Sequence, residues 1–469
     1  MSSLPTLLSR RTQAEPNTSP AGETPEQVFR RVRDREKELS RLLVFFISGG
    51  LVFMLLPGTF LGVWNLISIS GARAASRISP AWIQAHGHAQ VLGWIGTFIL
   101  GIGYYSLPKL RRGSQSFGIG SAWLTGAAWM SGVLLRWIAN VYLWQWRVLL
   151  PVSALLELAA FLVFFRAVSQ HSPAESGKAK LEPWVFVVIA GTMGLLGTLL
   201  FNLVGCCLTA WRGVTPAFSP AFDERFLMLA AWGFMPPFVW GFSAKWLPTF
   251  LGIPQPKARL LGGAVALQLV AVSAAAGGAF PLATALIFTS CLLATIGLNV
   301  FASAERPPKT KGVHPTFPYF IRIAYVWLIV AAALGIWAAH ATNANGIWGG
   351  SRHALTVGFI ATMVFCVGQR VLPAFSGMRL LFSPKLMFAG LLLLTLGCML
   401  RVSCEVLAYR NIVPSAWRLL PPSAVLELTA VTLFAFNLWM SFLQRPVAQH
   451  TNLNTPVSTI NIANRAATN

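Results

Sequence analysis

Twelve stretches of this chain are apolar and of spanning or near-spanning length. They run roughly 42–68, 86–107, 119–141, 148–168, 183–205, 226–249, 260–278, 279–301, 319–341, 353–372, 386–408 and 424–444. A helix needs about 20 predominantly apolar residues to cross a bilayer's hydrocarbon core. Hydrophobic residues make up 55% of the chain, charged residues only 11%, and mean hydropathy is +0.62. These values exclude a soluble domain of this length. The expectation is an all-α membrane protein of twelve transmembrane helices. Spans seven and eight are barely separated, by Gly277-Gly278 and Pro281.

The formal charge of +22 raises the question of a nucleic-acid partner, and its placement answers it. With the N-terminus inside, 26 of the 36 Lys and Arg fall on inner segments and 10 on outer ones. That is the positive-inside rule, with anionic lipid headgroups as the partner. No nucleic acid is expected, and an even helix number puts both termini in the cytoplasm. Residues 1–41 are polar and lack a signal-peptide core, so they read as a disordered cytoplasmic tail; 445–469 read as a second one. The six cysteines lie in apolar spans without a CxxC pair and read as small core residues.

An internal repeat organises the spans. The 21 residues from His88 and the 21 from His353 share His, Ala, Gly, Ile, Thr, Gly, Leu and Pro at a constant offset of 265. A third copy begins at Met228, at offset 140 from the first, and keeps Gly233, Phe238, Gly241, Leu247 and Pro248 but has no histidine. The copies fall on spans 2, 6 and 10, so the chain divides into three pseudo-symmetric four-helix arcs: 42–168, a degenerate 183–301, and 319–444. The first and third arcs agree further. Gly132 and Arg136 match Gly397 and Arg401, and Glu157 matches Glu427 within P-V-S-A-L-L-E-L and P-P-S-A-V-L-E-L.

Ionisable groups in a spanning segment are costly, roughly 2.5–3.5 kcal/mol each on insertion scales, and are default functional candidates. His88, Arg136, Glu157, His353, Arg401 and Glu427 all fall in the outer half under this topology. His171, His314 and His450 read as solvated loop residues, whereas His86 and His340 lie at outer helix ends. His86 and His88 are two apart, about 200° around a helix, so they do not face one centre. The repeat selects His88 as the inward one. Two imidazoles fall short of a tetrahedral zinc cage but suffice for a haem, whose ring supplies four nitrogens. Arg136, Arg401, Arg352 and Arg418 are candidate partners for haem propionates. Glu157 and Glu427 are the candidate proton relays, or partners of those arginines.

The segments H-G-H-A-Q-V-L-G-W-I-G-T-F at 86–98 and R-H-A-L-T-V-G-F-I-A-T-M at 352–363 resemble the NnrS family of twelve-helix membrane proteins. The resemblance covers about 42–444. It implies a protein of the bacterial inner membrane that contains haem and copper and takes part in the response to nitric oxide. The three arcs are also similar to the catalytic subunit of haem–copper oxidases, in which helices 2 and 10 carry the axial histidines of a low-spin haem. His88, or His86, and His353 match that pattern. Met228 and a span 7 without histidine depart from it, so the oxidase's copper ligands are missing, and copper would need others such as His86 and His340. The expected cofactor is haem b, with copper secondary. The expected role is binding or processing nitric oxide, ahead of an electron-transferring cytochrome fed by quinol and of a haem-free transporter.

Overall fold

A computed structural model describes residues 24–110, 117–170, 182–342 and 344–445. His171 and His450 lie outside the described residues, as do 1–23 and 446–469. The described residues are helical, with no strand among them. Twelve long helices follow in order: α1 (25–72), α2 (80–110), α3 (Ile119–Tyr142), α4 (Trp146–Ser169), α5 (Pro183–Arg212), α6 (Pro220–Leu251), α7 (Ala258–Ala276), α8 (Phe280–Gly297), α9 (Phe317–His340), α10 (345–375), α11 (Pro384–Tyr409) and α12 (Ala416–Leu443). Ten of them are both long and apolar enough to cross a membrane. The other two, α2 and α3, are of spanning length but enriched in Gly, Trp and polar residues. The twelve helices coincide with the twelve apolar stretches.

The tail expected to be disordered through residue 41 is helical from residue 25. Thr24 and Gln27 cap the helix reciprocally, each side chain bonding the other's backbone N–H. An Arg30–Glu26 pair at i,i+4 supports the first turns. The resulting rod, 25–72, is about 70 Å long at 1.5 Å per residue, far more than a bilayer core requires. Its polar part is also tied down. Tyr105 and Lys109 of α2 both bond Glu36, at 2.7 and 2.6 Å, and Ser40 Oγ donates to the Phe375 carbonyl. Composition alone undervalues such local and tertiary support.

Packing repeats every four helices. The most extensive pairings are α3 with α4, α7 with α8, and α11 with α12. In the first and third of these the same device recurs. A Cβ on Gly132 would stand 2.9 Å from Glu157 Cγ, and one on Gly397 would stand 2.9 Å from Glu427 Cγ. Only glycine lets the helices approach so closely. The weak boundary between α7 and α8 is a tight turn in which Gly278 adopts φ +87°, a conformation suited to glycine.

The three repeat copies share a feature that the sequence does not announce. Immediately after His88, Met228 and His353, the helices widen into π-helical segments at Ala89–Gly96, Leu229–Gly233 and Ala354–Ala361. The offsets of 140 and 265 are preserved. π-Helical segments are uncommon and frequent at functional sites.

Candidate functional site

The π-helical segments of α2 and α10 border a cavity of about 400 Å³, within the usual size range of ligand sites. Its walls come mainly from α1, α2, α6, α10, α11 and α12. They are largely apolar, but His86, His88, His353, Arg136, Arg352, Arg401 and Glu427 all reach them. The structure thus brings together almost every residue singled out by the repeat.

The three histidines are held differently. His86 Nδ1 lies 2.8 Å from the Gly58 carbonyl of α1. A carbonyl only accepts, so Nδ1 carries the proton and Nε2 keeps its lone pair. The ring packs closely on α1: a Cβ at Gly62 would come within 2.5 Å of His86 Cε1. His353 Nδ1 lies 2.9 Å from the Gly349 carbonyl and 3.0 Å from Glu405 Oε2. Its Nε2 faces Arg401 Nη2 at 3.4 Å and, opposite a pure donor, is the accepting nitrogen. Orienting Nδ1 by a carbonyl or carboxylate is how proteins prepare an imidazole to bind a metal through Nε2. His88 is the reverse case. Its Nε2 is engaged by Glu157 Oε1 at 2.7 Å, with both side chains buried, and its Nδ1 has no protein partner.

The two arcs therefore use their matched carboxylates differently. Glu157 is held at both oxygens, by His88 and by Asn202 Nδ2 at 3.2 Å. Glu427 lines the cavity, and its Oε1 has no hydrogen-bond partner. His353 pairs instead with Glu405, which also sits 3.3 Å from Arg401 Nε on α11. The position matching Glu405 in the first arc is Asn140, whose side chain bonds the Ala81 carbonyl. Glu405 escaped the sequence reading because it breaks the repeat. Its i,i+4 spacing from Arg401 in a spanning segment was the available signal. Asp223, on the first turn of α6, also lines the cavity and went unnoticed.

Arg136 is buried; Nη1 donates to Cys206 Sγ, and its guanidinium lies 4.4 Å from the centre of the Phe218 ring. Arg136 Nε and Arg401 Nη1 are buried without a hydrogen-bond partner. Arg418 is exposed and away from the cavity. So is His340, whose Nδ1 bonds the Ile336 carbonyl one turn back. His86 and His340 do not converge. Among the described residues no three His, Cys, Asp or Glu side chains are grouped to hold a metal ion. The donor set thus does not fit a copper centre built from protein ligands alone. It does fit haem: two prepared imidazoles border one cavity, with arginine donors left unpaired beside it.

A family described as "Domain of unknown function (DUF8744)" matches residues 230–441, from α6 to α12. No curated protein matches the chain. Among solved structures, a chain of a haem–copper terminal oxidase dimer is similar to it, with a TM-score of 0.54 at 13% identity, over 87% of this chain and 85% of that one. The fold is haem–copper-oxidase-like. At that identity the likeness speaks for the fold alone, and the chemistry has to come from the cavity.

Proposed function

We propose that this chain is an integral membrane haem protein holding one b-type haem in the cavity, with His86 and His353 as the axial pair. The observation that carries this reading is the matched preparation of those two rings. Each gives its Nδ1 proton to a backbone carbonyl and leaves Nε2 as the accepting nitrogen beside the same cavity, where at His353 the Arg401 guanidinium, 3.4 Å away, would move aside for the iron. His88, the choice from the repeat, has committed its Nε2 to Glu157. Arg136, Arg352 and Arg401 would meet the propionates, which as carboxylates favour a planar, bidentate cation. When bound, haem supplies one-electron exchange and an iron that binds diatomic gases.

The gas we assign is nitric oxide, which the NnrS resemblance supports, in a bacterial inner membrane with both termini cytoplasmic. The presence of two prepared imidazoles favours a second reading, an electron-transferring cytochrome, because a haem with both axial sites filled must release one to bind gas. Purified protein is expected to show a b-type visible spectrum. His86→Ala and His353→Ala should each abolish the native spectrum, while His88→Ala should still bind haem. Nitric oxide added to the reduced protein separates the two readings: a nitrosyl spectrum supports the first, an unchanged one the second. Well-folded, colourless wild-type protein would sink both.

A further inference from the structure

His88 is the one cavity histidine left without a role in that assignment, and its surroundings point to one. Starting from His88 Nε2, Glu157 accepts with one oxygen at 2.7 Å and takes Asn202 Nδ2 at 3.2 Å on the other. The Cys206 thiol donates to Asn202 Oδ1 at 3.7 Å, and Arg136 Nη1 donates to that same sulfur. The Arg136 guanidinium lies over the Phe218 ring. Phe218 in turn is gripped by Gln84, which accepts from the Phe218 N–H at 2.9 Å and donates to its carbonyl at 3.3 Å. The chain of contacts has returned to α2, where it started. It passes through α3, α4, α5 and the segment before α6, and from Phe218 round to His88 its side chains are buried.

The closure matters because of where its two ends meet α2. Residues 84 and 88 lie four apart in a regular α-helical stretch, about 40° from one another around the axis. Residue 86 is about 160° away from both, on the opposite face, turned to Gly58 and Gly62 of α1. His88 is also the last residue before the helix widens. Fixing 84 and 88 therefore fixes the rotation of the turn that carries His86.

We infer that His88 and Glu157 are positioning residues that lock the rotation of α2 and thereby the direction of the His86 imidazole. The consequence for a metal rests on the haem reading; the tether itself does not. Glu157→Ala removes the acceptor for His88 and frees Asn202, whereas Glu157→Gln keeps an oxygen opposite His88 Nε2. The test uses the full chain in lipid nanodiscs. With haem bound, the ferric low-spin EPR signal reports the angle between the two axial imidazole planes. Glu157→Ala and His88→Ala should each shift that signal with haem retained, and Glu157→Gln should restore the wild-type signal. In haem-free protein, amide hydrogen exchange over 80–96 should quicken in Glu157→Ala by about tenfold, the factor that about 1.4 kcal/mol produces. Glu157→Gln should exchange like the wild type. Unchanged exchange in Glu157→Ala overturns the tether, as does loss of haem in His88→Ala with haem kept in His86→Ala. If the wild type binds no haem, that reading falls by itself and the exchange data still decide the tether.

Discussion

Gly132 and Gly397 occupy matched positions in two arcs, so adding the same methyl group to each isolates what the arcs do differently. At Gly132 a Cβ would stand 2.8 Å from the Ser153 carbonyl and 2.9 Å from Glu157 Cγ. At Gly397 it would stand 2.9 Å from Glu427 Cγ but 3.2 Å from the Ser423 carbonyl. The backbone contact is thus tighter in the first arc. The side chain beneath it is also less able to yield, because both Glu157 oxygens are bonded while Glu427 Oε1 is not. Overpacking costs about 1–3 kcal/mol, against a gain of about 1 kcal/mol for alanine over glycine in a helix. Where Glu157 is pushed off His88, a charged hydrogen bond of about 1.5–3 kcal/mol is lost as well. Gly132→Ala should therefore destabilise by about 2–4 kcal/mol, whereas Gly397→Ala, relieved by rotation of Glu427, should stay within about 1 kcal/mol of wild type. Thermal unfolding of both variants in one detergent, followed by tryptophan fluorescence, compares them directly. Equal losses, or a greater loss for Gly397→Ala, would refute the idea that only the first arc's carboxylate is locked.

Two further outcomes follow from particular contacts. Gly62→Ala places a methyl group 2.5 Å from His86 Cε1 and must turn the ring from its Gly58 carbonyl. Haem occupancy, read as the ratio of Soret to protein absorbance, should fall at least severalfold while the protein remains folded; full occupancy would count against His86 as a ligand. Thr24→Ala removes half of the α1 capping box and should cost about 1 kcal/mol locally. Hydrogen exchange should rise over 26–34 and not beyond Glu36, where Tyr105 and Lys109 take hold.

Much of this architecture could be read from residue order, because its determinants are either collective or repeated. Spanning length is a property of whole segments, so twelve stretches became twelve helices. The repeat carried backbone geometry faithfully: Gly132 and Gly397 meet Glu157 and Glu427 in the same way. Side-chain partnership did not follow the repeat. Carboxylates can reach several donors from one backbone position, and a single exchange, Asn140 in one arc for Glu405 in the other, moved His353 onto a new partner. That exchange explains why the repeat, which matched His88 with His353, did not announce their different partners. The equivalence of His88 and His353 holds for the helix backbone, down to the π-helical segments that follow both. It fails at the ring nitrogens, where His88 has its Nε2 committed to a carboxylate and His353 turns its Nδ1 to a carbonyl and its Nε2 to the Arg401 guanidinium.

Asn140 stands where the first arc would have a Glu405, and on the proposed assignment the ligand from that arc comes from a different face of α2. His86 provides it, on the face opposite the tethers, with the Gly58 carbonyl orienting its ring as the Gly349 carbonyl orients that of His353. On that assignment a pseudo-symmetric pair of helices presents two imidazoles to one cavity from non-equivalent positions, and the histidine that symmetry favours is left to hold the helix in place.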